Sequence, residues 1–245
     1  MKTFKYFSTL PLRQKFRWIA HFLKANFKHK ERRRSLDLAS HTKPGGVIID
    51  VGAHLGYLTK EFAMAHQGNI QVIAFEPGDY CMSILRLTTR KLRNVTLVKS
   101  GLGNKDGFDQ LQMPIKKRGM LGIGISHIGG KADAGREYVS TSVEVKKLDT
   151  YANKNNLNRI DLIKVDVEGG ELEILKGSLN VIKRFRPIWY LEIDANMVKR
   201  YGHSPEDLFT FLKTFEYVAY TLHVDGEIER VDKYEKAGDY LFRVE

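Results

Sequence analysis

One cysteine in 245 residues, Cys81, excludes an internal disulfide framework and any cysteine-based zinc cluster. Such sparing use suits a reducing compartment, and a cytoplasmic location is expected. No stretch approaches the roughly 18 consecutive apolar residues of a bilayer-spanning helix. The N-terminus has neither a contiguous apolar run nor a small-residue cleavage site, so no secretory signal is read there. Acids are scarce early in the chain. Up to Gly46, twelve Lys and Arg face only Glu31 and Asp37, which places +10 of the net charge of +11 in that segment. The remainder is nearly neutral, so the positive charge belongs to an appendage and not to a basic catalytic groove. Hydrophobic residues at 42% and charged residues at 28% are ordinary for a folded domain, and the length suffices for one core without covalent staples.

Residues 1–45 are expected to form a basic arm. Leu12, Phe16, Ile19, Leu23 and Phe27 follow one another at +4, +3, +4 and +4, with Arg13, Lys15, Arg17, Lys24 and Lys28 around them. That spacing predicts an amphipathic helix. Its apolar stripe could pack on the main domain with the charges in water. It could instead lie on an anionic membrane surface as a peripheral contact. Phosphates of nucleic acid are a third use, but nucleic acid is not the expected partner.

From Gly46 short strands and helices alternate. Val47-Ile48-Ile49-Asp50-Val51 is the β-branched run of a strand buried on both faces. Helix 57–66, strand 71–75, helix 80–92 and strand 95–98 follow, then strands 160–167 and 188–193 with a helix between, to about 179. Ser204-Pro205-Glu206-Asp207 has the cap, proline and acids that open a helix to about 214. Segments 215–222 and 240–244 read as a closing hairpin. Repeated strand–helix–strand units imply an α/β fold with a mostly parallel, doubly wound sheet. The segment from Gly103 to Lys147 breaks the alternation. Strand-like stretches 108–113 and 139–145 flank a loop with Gly119, Gly122, Gly124, Gly129, Gly130 and Gly135. It reads either as a substrate-side lid or as a loose surface excursion.

Open α/β sheets bind ligands at the carboxyl ends of their strands. The first strand ends in Gly52-Ala53-His54-Leu55-Gly56, a glycine turn lacking the third glycine of a dinucleotide fingerprint. The second ends in Glu76-Pro77, 26 positions after Asp50, where a carboxylate can accept hydrogen bonds from both hydroxyls of a ribose. Lys164, Asp166 and Glu168 alternate at the end of a strand that should be interior, and Glu192 and Asp194 end the next. Buried carboxylates must be paired, hydrogen-bonded or metal-bound, so these acids are either functional or an ion-pair network with Lys164 and Arg159.

Three blocks carry a family resemblance: Ile49-Asp50-Val51-Gly52-Ala53-His54-Leu55-Gly56-Tyr57, Ala74-Phe75-Glu76-Pro77, and Ile163-Lys164-Val165-Asp166-Val167-Glu168-Gly169-Gly170-Glu171. Lys147-Leu148-Asp149-Thr150 and Leu191-Glu192 add weaker pieces. In order and spacing they resemble the FkbM family of S-adenosylmethionine-dependent methyltransferases. The family usually has Asn at the position of His54 and a small residue other than glycine at Gly170. The resemblance implies a Rossmann-like class I methyltransferase domain over residues 46–245, with a seven-stranded sheet. It implies S-adenosylmethionine over the Gly52 turn with its ribose on Glu76 and its adenine beside Leu102. The expected cofactor-binding residues are thus Asp50, Gly52, Ala53, His54, Gly56, Tyr57, Glu76, Leu102 and Asp166. It also implies O-methylation of a sugar, glycan or secondary-metabolite hydroxyl.

A neutral alcohol is a poor nucleophile and needs a base or a cation. Asp166, Glu168 and Glu192 are the candidate catalytic acids, and Asp166 is the best-placed base. Asp166 with Glu192 could alternatively hold Mg²⁺. His54 and His127 are further candidate bases. A dinucleotide oxidoreductase lacks its third glycine here. Cys81 has no preceding proline, as a cytosine-C5 nucleophile often would. RNA O-methylation and a catalytically inactive nucleotide-binding module stay open as alternatives, and the sequence carries no pattern that sets an oligomeric state.

Overall fold

The structure is a computed structural model, and it describes residues 2–27, 37–116, 120–133, 135–222 and 228–245. Gly119 of the glycine-rich loop and Lys28, Lys30, Arg32, Arg33 and Arg34 of the arm lie outside the described residues. Strands β1 (Gly46–Val51), β2 (Ile70–Phe75) and β3 (Val95–Val98) run parallel, and so do β9 (Leu162–Val165) and β10 (Ile188–Ile193) on the other side of β1. All six residues of β1 are buried. Val47, Ile49 and Val51 join one apolar layer and Ile48 the opposite one, because alternate side chains of an interior strand leave on opposite faces. Helices cover both faces, including α3 (Tyr57–Met64) on one and α5 (Leu148–Lys154), α6 (Glu171–Lys176), α7 (Leu179–Phe185) and α8 (Pro205–Lys213) on the other.

The expected seven-stranded, mostly parallel sheet is corrected to an eight-stranded mixed one. Its far edge is antiparallel, formed by β11 (Tyr217–Leu222), β12 (Ile228–Val231) and β13 (Gly238–Val244) in the order β12-β11-β13-β10-β9-β1-β2-β3. The expected closing hairpin therefore gains a strand. The helix at Pro205 has the expected cap, a reciprocal capping box between Ser204 and Asp207.

The insertion after β3 is not a structureless loop. Between β4 (Gly101–Leu102) and α5, strands β5 (Gly107–Lys116) and β8 (Tyr138–Lys146) pair antiparallel in a second, small sheet with β4, β6 (Met120–Leu121) and β7 (His127–Ile128).

Before β1 lie α1 (Lys2–Thr9) and α2 (Leu12–Phe27), separated by Pro11, which cannot continue a helix from its own interior. Both pack on α4 (Asp79–Thr88). Trp18 Nε1 donates to Ser83 Oγ at 2.7 Å, and Leu10, Trp18, Ala25, Leu55, Cys81 and Ile84 form their own buried cluster. The packed face is not the expected one. Trp18, Phe22 and Ala25 turn inward, whereas Leu12, Phe16, Ile19 and Leu23 are exposed. Among the described residues no helix is long and apolar enough to cross a membrane.

Candidate cofactor and acceptor cavity

The strand order reverses between β1 and β9, so the chain leaves these neighbours toward opposite sides and opens a crevice at their carboxyl ends. A cavity of about 1560 Å³ lies there, lined by Gly52, His54, Glu76, Leu102, Asp166 and Glu168, among others. Single-ligand pockets are commonly about 300–1,000 Å³, so this one has room for a cofactor and an acceptor together.

The first wall is made of strand tips. Gly52 has φ 73°, and a Cβ there would sit 2.0 Å from the Asp166 carbonyl oxygen. Only glycine lets the turn pass so close to the segment after β9. His54 also takes a positive φ of 51°, and its N–H donates to Glu76 Oε2 at 2.8 Å. Gly78 N–H donates to Glu76 Oε1, also at 2.8 Å. Those two bonds use two of the roughly four acceptor positions of a carboxylate, leaving capacity for a pair of hydroxyls. Burial pushes the Glu76 carboxyl up to about 7, with the two backbone donors opposing it in part. A buried carboxylate at a cavity wall, with spare acceptor capacity beside a glycine turn, fits the ribose of an adenosine cofactor.

Beneath that wall lies an ionic triad. Lys164 Nζ is 3.5 Å from Asp50 Oδ1 and 3.4 Å from Asp166 Oδ2, and it donates to the carbonyls of Val51 and Gly52. Burial works to lower the lysine pKa, but Asp166 and Asp50 together outweigh it and hold it above the usual range. Asp50 is fully buried and accepts the Thr59 hydroxyl. Asp166, with 38% of its side chain exposed, is the member that faces the cavity.

The structure does not gather every expected site residue. Asp50, Ala53, Gly56 and Tyr57 stand behind the cavity wall, where Asp50 serves the triad and Gly56, at φ 86°, lets α3 begin against Leu85. Glu192 is exposed and does not line the cavity, because β10 delivers it beyond the crevice, although its charge still supports Lys164. The alternation expected through Glu168 stops at Val165. Glu168 sits in a turn at φ 62° and still reaches the cavity. Among the described residues no three His, Cys, Asp or Glu side chains gather as a metal site, and of the pair expected for Mg²⁺ only Asp166 lines the cavity. Glu171, the first residue of α6, accepts from Gly169 N–H at 3.0 Å; burial pushes its carboxyl up to about 7.

The opposite wall comes from the small sheet, the segment after β10 and the arm. His127 is buried, and its Nδ1 lies 2.7 Å from the Gly129 carbonyl, which fixes a proton on Nδ1. Nε2, itself buried, then carries a lone pair with no partner among the described residues, on a ring that lines the cavity. Burial lowers the His127 pKa, keeping the imidazole neutral. His54, pushed by burial to about 4, is likewise neutral, with Nε2 unpartnered. Arg200 grips Asp133 through two hydrogen bonds of 2.9 Å, and the Lys131 N–H donates to the Arg200 carbonyl. Tyr201 donates to the Ile128 carbonyl at 2.7 Å. The described part of the glycine-rich loop is thus tied to the segment after β10. Arg13, Arg17, His21, Arg200, Tyr201 and His203 also line the cavity. No sequence motif marks them, and long-range packing alone brings them there.

Comparison with known proteins adds four findings. Residues 50–219 match the family model described as the methyltransferase FkbM domain. The chain is 30% identical over 159 residues to methyltransferase sdnD of Sordaria araneosa, covering 53% of this chain and 59% of that protein. It is 24% identical over 198 residues to the 2-O-methyltransferase NoeI of Sinorhizobium fredii, covering 76% of this chain and 79% of that protein. The match to sdnD thus spans little more than half of that relative's length. The crystal structure of methyltransferase FkbM from Methylobacillus flagellatus superposes with a TM-score of 0.52 at 17% identity, over 81% of this chain and 43% of that one, and shares its fold.

Proposed function

Because the chain belongs to the FkbM methyltransferase family, we propose that it transfers a methyl group from S-adenosylmethionine to a hydroxyl of a sugar or glycan-like acceptor. The observation that carries this reading is Glu76, a buried carboxylate with unused acceptor capacity beside the Gly52 turn in a two-ligand cavity. When bound, the cofactor supplies an electrophilic methyl group on a sulfonium. Glu76 would hold the ribose hydroxyls, and the bare backbone of Gly52 gives the close approach such a ligand needs.

An alcohol acceptor must lose its proton as it reacts. Asp166 stands in the cavity against the Gly52 turn, and Lys164 fixes its position from behind. It is the proton acceptor in this reading. His127 Nε2, neutral and unpartnered, can accept a hydrogen bond from an acceptor hydroxyl and orient it. A hydroxyl acceptor is supported by similarity to a 2-O-methyltransferase, and a sugar-like one by the hydrogen-bonding side chains of His127, Arg200 and His203 on the second wall.

Titration calorimetry with S-adenosylmethionine and S-adenosylhomocysteine tests the cofactor assignment. Glu76→Ala should weaken binding by at least about tenfold, the worth of one hydrogen bond to a charged group. Asp166→Asn should bind normally and lose about 10²-fold or more in turnover. Folded wild-type protein that gives no binding heat with either ligand would overturn the reading.

A further inference from the structure

Helix α2 has two apolar faces, and the fold uses only one. Trp18, Phe22 and Ala25 point into the cluster over α4. On the other side Leu12, Phe16, Ile19 and Leu23 stand 70%, 66%, 41% and 47% exposed. At about 100° per residue these four fall on one continuous stripe. The same geometry places Arg13 and Lys24 along one flank of the stripe and Lys15 along the other. No Asp or Glu occurs before Glu31, whereas the body beyond Gly46 is close to neutral.

We propose that this outward face of α2 seats the protein on an anionic membrane surface, the apolar stripe entering the headgroup boundary and the flanking cations meeting lipid phosphates. Charge complementarity selects this occupant. A second copy of the chain would bring the same cations against themselves, and nucleic acid would leave the apolar stripe without a partner. Anionic lipid satisfies both parts of the face at once. Arg13, Arg17 and His21 of the same helix line the cavity, so seating the helix holds the cavity beside the lipid surface. This inference does not depend on the reaction catalysed.

Co-sedimentation of the full chain with extruded vesicles, without cofactor, tests it. The protein should bind phosphatidylcholine vesicles containing phosphatidylglycerol, bind phosphatidylcholine alone weakly, and lose affinity as salt is raised. The double variant Phe16→Ser/Leu23→Ser should lose about tenfold or more in vesicle affinity with an unchanged melting temperature. Lys24→Glu, at an exposed position, should lose about five- to tenfold and serves as the second test should the double variant misfold. Wild-type protein that stays in the supernatant with anionic vesicles at low salt would overturn the proposal. So would undiminished binding by either variant, a dimer that the double variant splits, or binding to RNA in preference to vesicles.

Discussion

The two walls of the cavity are built by opposite means. The strand-tip wall is assembled from short turns one to three residues beyond β1, β2 and β9, and its charged groups converge on one buried ammonium, Lys164. The facing wall is assembled from an antiparallel sheet, an arm and the segment after β10. Half-buried clasps such as Arg200–Asp133 and Tyr201–Ile128 join them. The first wall tolerates little change, because removing one partner strands a buried charge. The second can change contact by contact. A fold that must bind one constant ligand and one variable ligand is well served by that division.

Removing the centre of the first wall should have the largest effect. Lys164→Met leaves Asp50 buried without its cation and should cost about 3–5 kcal/mol, read as a lower denaturant midpoint. A loss under about 1 kcal/mol would break the contrast between the walls. The next effect concerns pH. Burial holds Glu76 and Glu171 at about 7 in the folded chain, against an ordinary value of 4.5. Between those values the folded state binds more protons than the unfolded one, so stability falls as pH rises through that window. Glu171→Gln should flatten the decline from pH 5 to 8 by about 1–3 kcal/mol, measured as unfolding free energy across that range. The smallest effect belongs to the second wall. Asp133→Ala frees Arg200 and should raise the acceptor KM about three- to tenfold while leaving cofactor affinity and melting temperature nearly unchanged. A matching loss of cofactor affinity would show that the walls are one unit.

Legibility divides along the same line. β1, β2 and β10 could be read because apolar, β-branched runs mark interior strands, and the places of Glu76 and Asp166 on the cavity because they follow directly on strand ends. Alternation gives the face of a residue but not its burial or its distance from the switch point, so it could not show that Asp50 stays inside β1 or that Glu192, level with Asp166, stands one strand away from the cavity. β12 has only four residues, two of them exposed, and left no pattern to find. The α2 stripe was read correctly as helical, and of the uses left open for it, packing on the main domain is the one the fold does not show. Hydrophobicity alone cannot choose between two apolar faces, and Trp18 wins because its indole N–H also finds Ser83. His127, Arg200 and Tyr201 were invisible as a set because no local spacing connects residues joined only through tertiary contacts.

Cys81, on α4, is the sole thiol of the chain and lies buried beneath the arm helices, and burial pushes its pKa well above the ordinary value. While the arm stays docked it offers a reagent neither access nor thiolate. The protein therefore carries its own reporter, since alkylation at this one sulfur reads how often the packing around it, arm helices and cavity wall alike, opens.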